Sequence, residues 1–246
     1  MRLSALVLFV LSAPAMIAAP DPLRQSRQCL VVVAANWNST DGVLRAFERA
    51  NKNAPWEVHG RAVPVMLGKK GLAWGRGLVK APDTPGPVKI EGDNRVPAGI
   101  FKLGEAFGYA PASSARWVKL PYLPLTKQIE AIDDPGSRYY NRLVDRSKVA
   151  RVDWHSSEQM RRDDVRYKWG VVVEHNTPPR PGAGSCIFLH IWKSSATTTV
   201  GCTAMPERDL VGLLRWLDPA AQPVLIQMPT QPYEVLRSGL KLPNLH

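Results

Sequence analysis

The hydrophobic and polar positions of this chain alternate in short runs more often than they fall into long amphipathic stretches. Leu30 to Ala34 is a β-branched run, followed by polar turn and cap residues from Asn36 to Asp41. Val43, Leu44 and Phe47 then share a face at helical spacing, so strand, turn, helix is the simplest reading there. Trp56 to Arg61 and Val63 to Leu67 alternate as short strands, with Gly68, Gly71, Gly75 and Gly77 marking tight turns. Pro82 to Pro87 reads as a loop. From Trp117 to Asp164 the chain is rich in Pro, Asp, Arg, Tyr and Ser without clear period, which predicts long surface excursions on a rigid scaffold. Trp169 to Val173 and Cys186 to Trp192 are strongly strand-like and joined by a Pro- and Gly-containing connection of hairpin character. Pro206 suits a first helical turn, and Glu207 and Asp209 complement its positive end. Leu210, Leu213, Leu214 and Leu217 continue one face until Pro219 stops it. Val224 to Met228 predicts a last strand, and 229–246 a weakly patterned tail lying over the surface or loose.

Composition supports a β-rich reading. The 246 residues include 18 Gly and 22 Pro spread without a repeat, which favours turns and strands over a helical bundle. The expected class is mainly β with a few helices. With 45% hydrophobic and 22% charged residues the chain can bury a full core. The net charge of +11 makes an anionic partner such as nucleic acid, a membrane surface or a cell-wall polymer plausible. The basic residues are scattered as pairs, for example Lys69-Lys70 and Arg161-Arg162, and no nucleic-acid module signature accompanies them, so a solvated basic surface is the plainer reading.

The amino terminus sets the expected compartment. Arg2 precedes an apolar stretch from Leu3 to Val10, and Ala13-Pro14-Ala15 and Ile17-Ala18-Ala19 supply cleavage contexts. Residues 1–19 are therefore read as a secretory signal peptide. About ten apolar residues are too few for a membrane span of roughly 20. The mature chain is expected in the periplasm or cell envelope, without a stable span and as a monomer. In an oxidising compartment the three cysteines, Cys29, Cys186 and Cys202, leave at least one free or paired to another molecule.

The candidate chemistry lies in Gly184-Ser185-Cys186-Ile187-Phe188-Leu189-His190-Ile191-Trp192 and Thr199-Val200-Gly201-Cys202-Thr203, where a histidine ends a strand and Gly-Cys precedes a helix. A nucleophilic thiol needs a nearby base, and a helix N-terminus lowers its pKa further. Gly201 lets the backbone approach a ligand, and the N–H groups from Gly201 to Thr203 could converge on the oxyanion of an acyl-transfer intermediate. On a regular strand Cys186 and His190 are about 13 Å apart, so a His190–Cys202 dyad excludes both a Cys186–Cys202 disulfide and a zinc site using all three. A Cys29–Cys186 bridge stays open, and His59, His155 and His175 are alternative partners for a thiol. Singly, Cys202 reads as a small buried hydrophobe and His190 as a satisfied strand-end histidine.

The run GSCIFLHIW…TTTVGCTAM resembles the catalytic signature of the YkuD-type L,D-transpeptidases, in the branch reading S-x-I-F-L-H and T-x-G-C. Upstream, KIEGDNRVPAGIFKLGEAFGY is similar to that branch's K-x-E-G-D-x-R-T-P-x-G-x-F segment. WHSSEQM and YKWGVVVEHN are similar to its W-x-S-x-E-x-M and Y-x-x-G-V-V-x-x-N stretches. The resemblance runs from about Leu30 to Met228 and implies a catalytic domain over 29–228, a β-sandwich or barrel with a few helices. It implies a cysteine enzyme that needs no cofactor or metal and uses peptidoglycan stem peptides as donor and acceptor. Cys202 matches the nucleophile, His190 the general base and acid, and Gly201 the glycine beside the oxyanion. Arg95, Tyr140, Asn141, Trp154 and Glu158 lie in family-like segments and are expected in the peptide groove, each with the alternative of satisfying a turn or a buried hydrogen bond. The sequence departs at Val200, where the better-known motif has a histidine, at Val96, where Thr is usual, and at Cys186. The Ser-x-x-K string at Ser238 to Lys241 has no companion motif and is read as coincidence. The expected function is an exported cysteine L,D-transpeptidase. The alternatives are an L,D-carboxypeptidase and a non-catalytic basic wall-binding module.

Overall fold

The computed structural model describes residues 21–81 and 85–245. The signal-peptide reading of residues 1–19 and part of the Pro82 to Pro87 loop lie outside the described residues. The strands are β1 (Gln28–Ala34), β2 (Asp41–Glu48), β3 (Glu57–Met66), β4 (Leu72–Trp74), β5 (Val96–Gly108), β6 (Tyr122–Pro124) and β7 (Ile129–Ile132). They continue as β8 (Arg142–Asp145), β9 (Ser157–Gln159), β10 (Trp169–Val173), β11 (Phe188–Ile191), β12 (Thr203–Met205) and β13 (Val224–Pro229). The helices are α1 (Glu207–Trp216) and α2 (Thr230–Leu240). The fold is mainly β. Strands β10, β11, β12, β3, β2, β1, β13 and β5 hydrogen-bond in that order, and β5 returns to β10, so the sheet closes into a barrel. Closure removes free edges, and β4 and β6 extend the sheet from β5. No helix among the described residues is long and apolar enough to cross a membrane.

Strand β1 is buried on both sides, with Cys29, Leu30, Val31 and Val32 at most 1% exposed. This explains a departure from the sequence reading, because the stretch around Val43, Leu44 and Phe47 forms β2 and not a helix. Phe47 pairs with Cys29 and Leu44 with Val32, and adjacent Ala46 and Phe47 are both buried, so the period of two breaks at the end of β2. A bulge adds to the effect. Leu44 pairs with Val63 but Ala46 with His59, and Gly60 at φ +69° supplies the turn that lets β3 carry the extra residues.

Helix α1 follows its sequence signals and buries Leu210, Leu213 and Leu214 against β10 and β11, in one core with Val171, Leu189 and Ile191. The 229–246 segment is not a loose tail, because α2 packs on β13 and β1. Its Tyr233 is fully buried and donates to Pro243 O at 2.7 Å. Pro232 falls in the first turn, where no intrahelical N–H is needed, so it permits a helix that its composition hides.

The excursion between Trp117 and Asp164 has a sheet of its own, ordered β8, β7, β9. Ile129, Ala131, Met160 and Leu125 from this region pack with Phe107, Tyr167, Phe188 and Cys202 in a second core beside the barrel. That core leans the small sheet over β11 and β12 and makes one wall of the cleft described next.

Candidate active site

Strands β11 and β12 are parallel neighbours with Leu189 opposite Thr203 and His190 opposite Ala204. Since alternate residues share a face, Cys202 and Ala204 project to the same side as His190. All three line one cleft of about 260 Å³. Of the histidines among the described residues, only His190 lines it. His59 stacks on Trp216, His155 donates its backbone N–H to Asp134, and buried His175 is fixed between Arg76 N and Ala183 O.

His190 Nδ1 lies 2.8 Å from Ile191 O. A carbonyl can only accept, so Nδ1 carries the hydrogen and Nε2 keeps its lone pair. The Tyr167 ring meets the imidazole edge to face at 5.3 Å and 85°. Tyr167 is held in turn by its O–H, which donates to Glu158 Oε2 at 2.8 Å, while Arg162 donates to Glu158 Oε1 at 2.6 Å. Cys202 Sγ accepts the Phe188 N–H at 3.3 Å and donates to Cys186 O at 3.8 Å.

Burial decides the protonation of the pair. It drives Cys202 up to about 12, with the Glu158 charge adding to the rise and the Phe188 N–H and Lys89 opposing it. It brings His190 down to about 4, the Ile191 carbonyl opposing. The two groups therefore rest as a neutral thiol and a neutral imidazole lining the same cleft. This corrects the expectation of a helix-lowered thiol pKa. The residues just after Cys202 form β12, and α1 starts only at Glu207, too far along for its N-terminus to act on the sulfur.

All three cysteines are free, so the Cys29–Cys186 bridge is not formed. Cys29 sits in β1 among core residues, while Cys186 Sγ donates to Ile132 O at 3.4 Å. Cys186 has φ +52°, which bends the chain before β11, so regular alternation covers only Phe188 to Ile191. Gly201 has φ +157°, a conformation essentially confined to glycine, and it turns the chain into Cys202. Its N–H donates to Thr199 Oγ1 at 3.2 Å, and that hydroxyl donates to Cys202 O at 2.5 Å. The Gly201 N–H is thus engaged within the loop by the Thr199 hydroxyl.

The five groove residues divide. Glu158 lines the cleft, and Arg95, Tyr140, Asn141 and Trp154 do not. Arg95 clamps a loop by donating to Trp37 O at 3.0 Å and Leu72 O at 2.9 Å. Tyr140 donates to Glu91 Oε2 at 2.5 Å. Asn141 joins three segments, donating to His175 O and Asn176 O and accepting from Cys186 N at 2.8 Å. Trp154 donates to Glu130 Oε2 at 2.9 Å within the small sheet. Sequence reasoning missed Tyr167, Thr199 and Glu91 at the cleft. Tyr167 and Glu91 lie inside the quoted similar segments and carry polar groups, the one signal that could have marked them. Among the described residues, no group of three or more His, Cys, Asp or Glu side chains is placed to hold a metal ion.

No family model matches the chain, and no curated protein or solved structure matches it.

Proposed function

We propose that this protein is an exported cysteine acyltransferase of the L,D-transpeptidase type, acting on peptidoglycan stem peptides. The observation that supports it best is the β11–β12 register, which puts Cys202 two residues from the partner of His190, so that both line one cleft while His190 Nε2 keeps its lone pair. The signal-like residues 1–19 and the net charge of +11 agree with an exported protein working on an anionic wall.

The neutral pair sets the order of events. The Cys202 thiol attacks the carbonyl between an L-centre and a terminal D-residue, and His190 Nε2 takes the S–H proton as the S–C bond forms. The tetrahedral adduct collapses with cleavage of the C–N bond, and His190 returns the proton to the departing amine. A thioester on Cys202 remains. An amine from a neighbouring stem attacks it, gives its proton to His190, and leaves as the new amide while Sγ recovers the proton. Water in place of the amine yields a trimmed stem, the carboxypeptidase outcome. Keeping both groups uncharged until substrate arrives suits a site with 6–7% exposure at His190 and Cys202, where a standing thiolate–imidazolium pair would be poorly solvated.

The test is mass spectrometry of disaccharide-tetrapeptide incubated with the mature protein beside Cys202→Ala. Cross-linked dimers lost in the variant are expected, and tripeptide alone would make the enzyme a carboxypeptidase. No product from freshly reduced protein would overturn the assignment in favour of wall binding without turnover.

A further inference from the structure

A second cleft, of about 520 Å³, shares only Lys89 with the one that holds Cys202 and His190. Its charges are of one sign. Arg76, Lys80 and Arg180 line it and, among the described residues, no Asp or Glu does. Lys89 is committed to Asp93 at 2.5 Å, whereas the Lys80 and Arg180 side chains have no partner among the described residues. Cations gathered without a counter-charge repel one another, and a cleft so lined concentrates anions.

The two arginines are placed by a buried polar framework just beyond β10. Asn176 is fully buried and His175 is 1% exposed. Asn176 Oδ1 accepts from Arg76 Nε and from Arg180 N, both at 2.9 Å, and its Nδ2 donates to Arg180 O at 2.9 Å and to Gly184 O at 3.0 Å. Its backbone N–H donates to Arg76 O at 2.8 Å, and the Arg76 N–H donates to His175 Nδ1 at 3.3 Å. The Asn176 amide thus ties both cationic residues to one point. With Nε engaged, the Arg76 guanidinium keeps its two terminal nitrogens, a fork that matches the two oxygens of a carboxylate.

The rest of the lining indicates what carries the anion. Val88 and Ile90, 72% and 58% exposed, stand in the same cleft as the cations. Trp74, 4% exposed, forms a further wall, and its Nε1 is a buried donor with no partner among the described residues. An acceptor is what such a donor lacks. A nucleic acid would call for a track of cations along its phosphates, whereas cations beside exposed apolar side chains and an indole suit a carboxylate that ends a short apolar peptide.

We propose that this cleft is a second binding site, which captures the C-terminal carboxylate of a peptide between Arg76, Arg180 and Lys80. It stands apart from the acyl-transfer chemistry and does not depend on it. A peptide held here leaves the cleft at Cys202 open, so the protein can grip its target and present its thiol at the same time.

The test reads the site directly and without turnover. In the mature Cys202→Ala protein the indole N–H signal of Trp74, assigned with Trp74→Phe, is followed by nitrogen–proton correlation NMR. N-acetyl-D-alanyl-D-alanine, its C-terminal amide and inorganic phosphate are titrated in turn. The free acid is expected to move the Trp74 signal and to bind at least about tenfold more tightly than the amide or phosphate, as a charge-assisted contact implies. Lys80→Gln with Arg180→Gln removes two side chains that bond to nothing else in the fold, and should abolish the preference with the Tm unchanged. Should that pair not fold, Arg76→Lys, which keeps the charge and loses the fork, should shrink the preference. Equal binding of acid and amide, a preference untouched by these substitutions, or a Trp74 signal that does not move overturns the proposal. Phosphate binding as tightly as the acid would overturn the peptide ligand.

Discussion

Reactivity of Cys202 toward iodoacetamide as a function of pH tests the neutral pair directly. With Cys202 at about 12 against an ordinary 9.0, the thiolate population below pH 9 is about a thousandfold smaller than for a free thiol. Nucleophilicity rises with thiol basicity with an exponent of about 0.4–0.5, which recovers roughly 15- to 30-fold. The native thiol should therefore alkylate roughly 30- to 60-fold more slowly than the same cysteine in the urea-unfolded chain, and burial of the sulfur lowers the rate further. The rate should climb tenfold per pH unit up to pH 9 with no plateau. Acylation by substrate should behave differently, because His190 receives the proton as the bond forms. Its kcat/KM, which in a ping-pong scheme reports only the donor half-reaction, should be flat from pH 5 to 9 and fall only as His190 is protonated near 4. The assay is mass-resolved alkylation of Cys202 beside the donor profile. An alkylation plateau between pH 5 and 8, or native alkylation faster than unfolded, would show a standing thiolate–imidazolium pair and refute the reasoning.

Buried His175 and His190 are both brought down to about 4 from an ordinary 6.5. A depressed folded pKa means the unfolded chain binds these protons more readily. Stability is then full above 6.5 and is lost as pH falls toward 4, by on the order of 3 kcal/mol per histidine. Urea melts at pH 7, 5.5 and 4 should show this, with a shallower slope for His190→Gln, whereas equal slopes would count against it. Gly201→Ala at φ +157° should cost about 1–3 kcal/mol or shift Cys202, so donor acylation should slow at least tenfold in folded protein. A near-normal acylation rate would contradict that role. Trp154→Phe removes the donor to buried Glu130 and should cost about 1–2 kcal/mol in denaturant melts with donor KM unchanged. A raised KM with unaltered stability would instead put Trp154 in the groove. Asn141→Ala unpins Cys186 N, His175 O and Asn176 O, and should lower the Tm and slow acylation together. An unchanged Tm would show that the three segments hold without it.

Strands β10, β11 and β13 and helix α1 were legible because each is bounded by clear turn residues or follows one period. β2 was not, since adjacent Ala46 and Phe47 are both buried, which breaks the alternation and leaves Leu44 and Phe47 at helical spacing. The β8-β7-β9 sheet hid in short strands of three or four residues, below the length at which a period can be counted. The placing of Cys202 and His190 was within reach, because a strand-end histidine and a Gly-Cys that follows it are local signals. Arg95, Asn141 and Trp154 show the opposite limit. A polar side chain written in sequence does not reveal whether its partner is a ligand or a distant backbone carbonyl, and for these three the partner is the protein.

The pairing of β1 with β13 has a consequence for how the molecule is made. Thr230 Oγ1 bonds to Ala34 O across 196 residues, and Cys29 sits opposite Val224. Since β13 is also the neighbour of β5, it is the stave that joins the two ends of an otherwise open sheet. A chain that emerges amino end first from a ribosome therefore holds two unpaired apolar strand edges until Val224–Pro229 appears. Such non-local closure makes folding slow relative to local helix formation. It also couples the whole barrel to Val224–Pro229, so that truncation before Val224 would remove two edges' worth of pairing and not merely a tail.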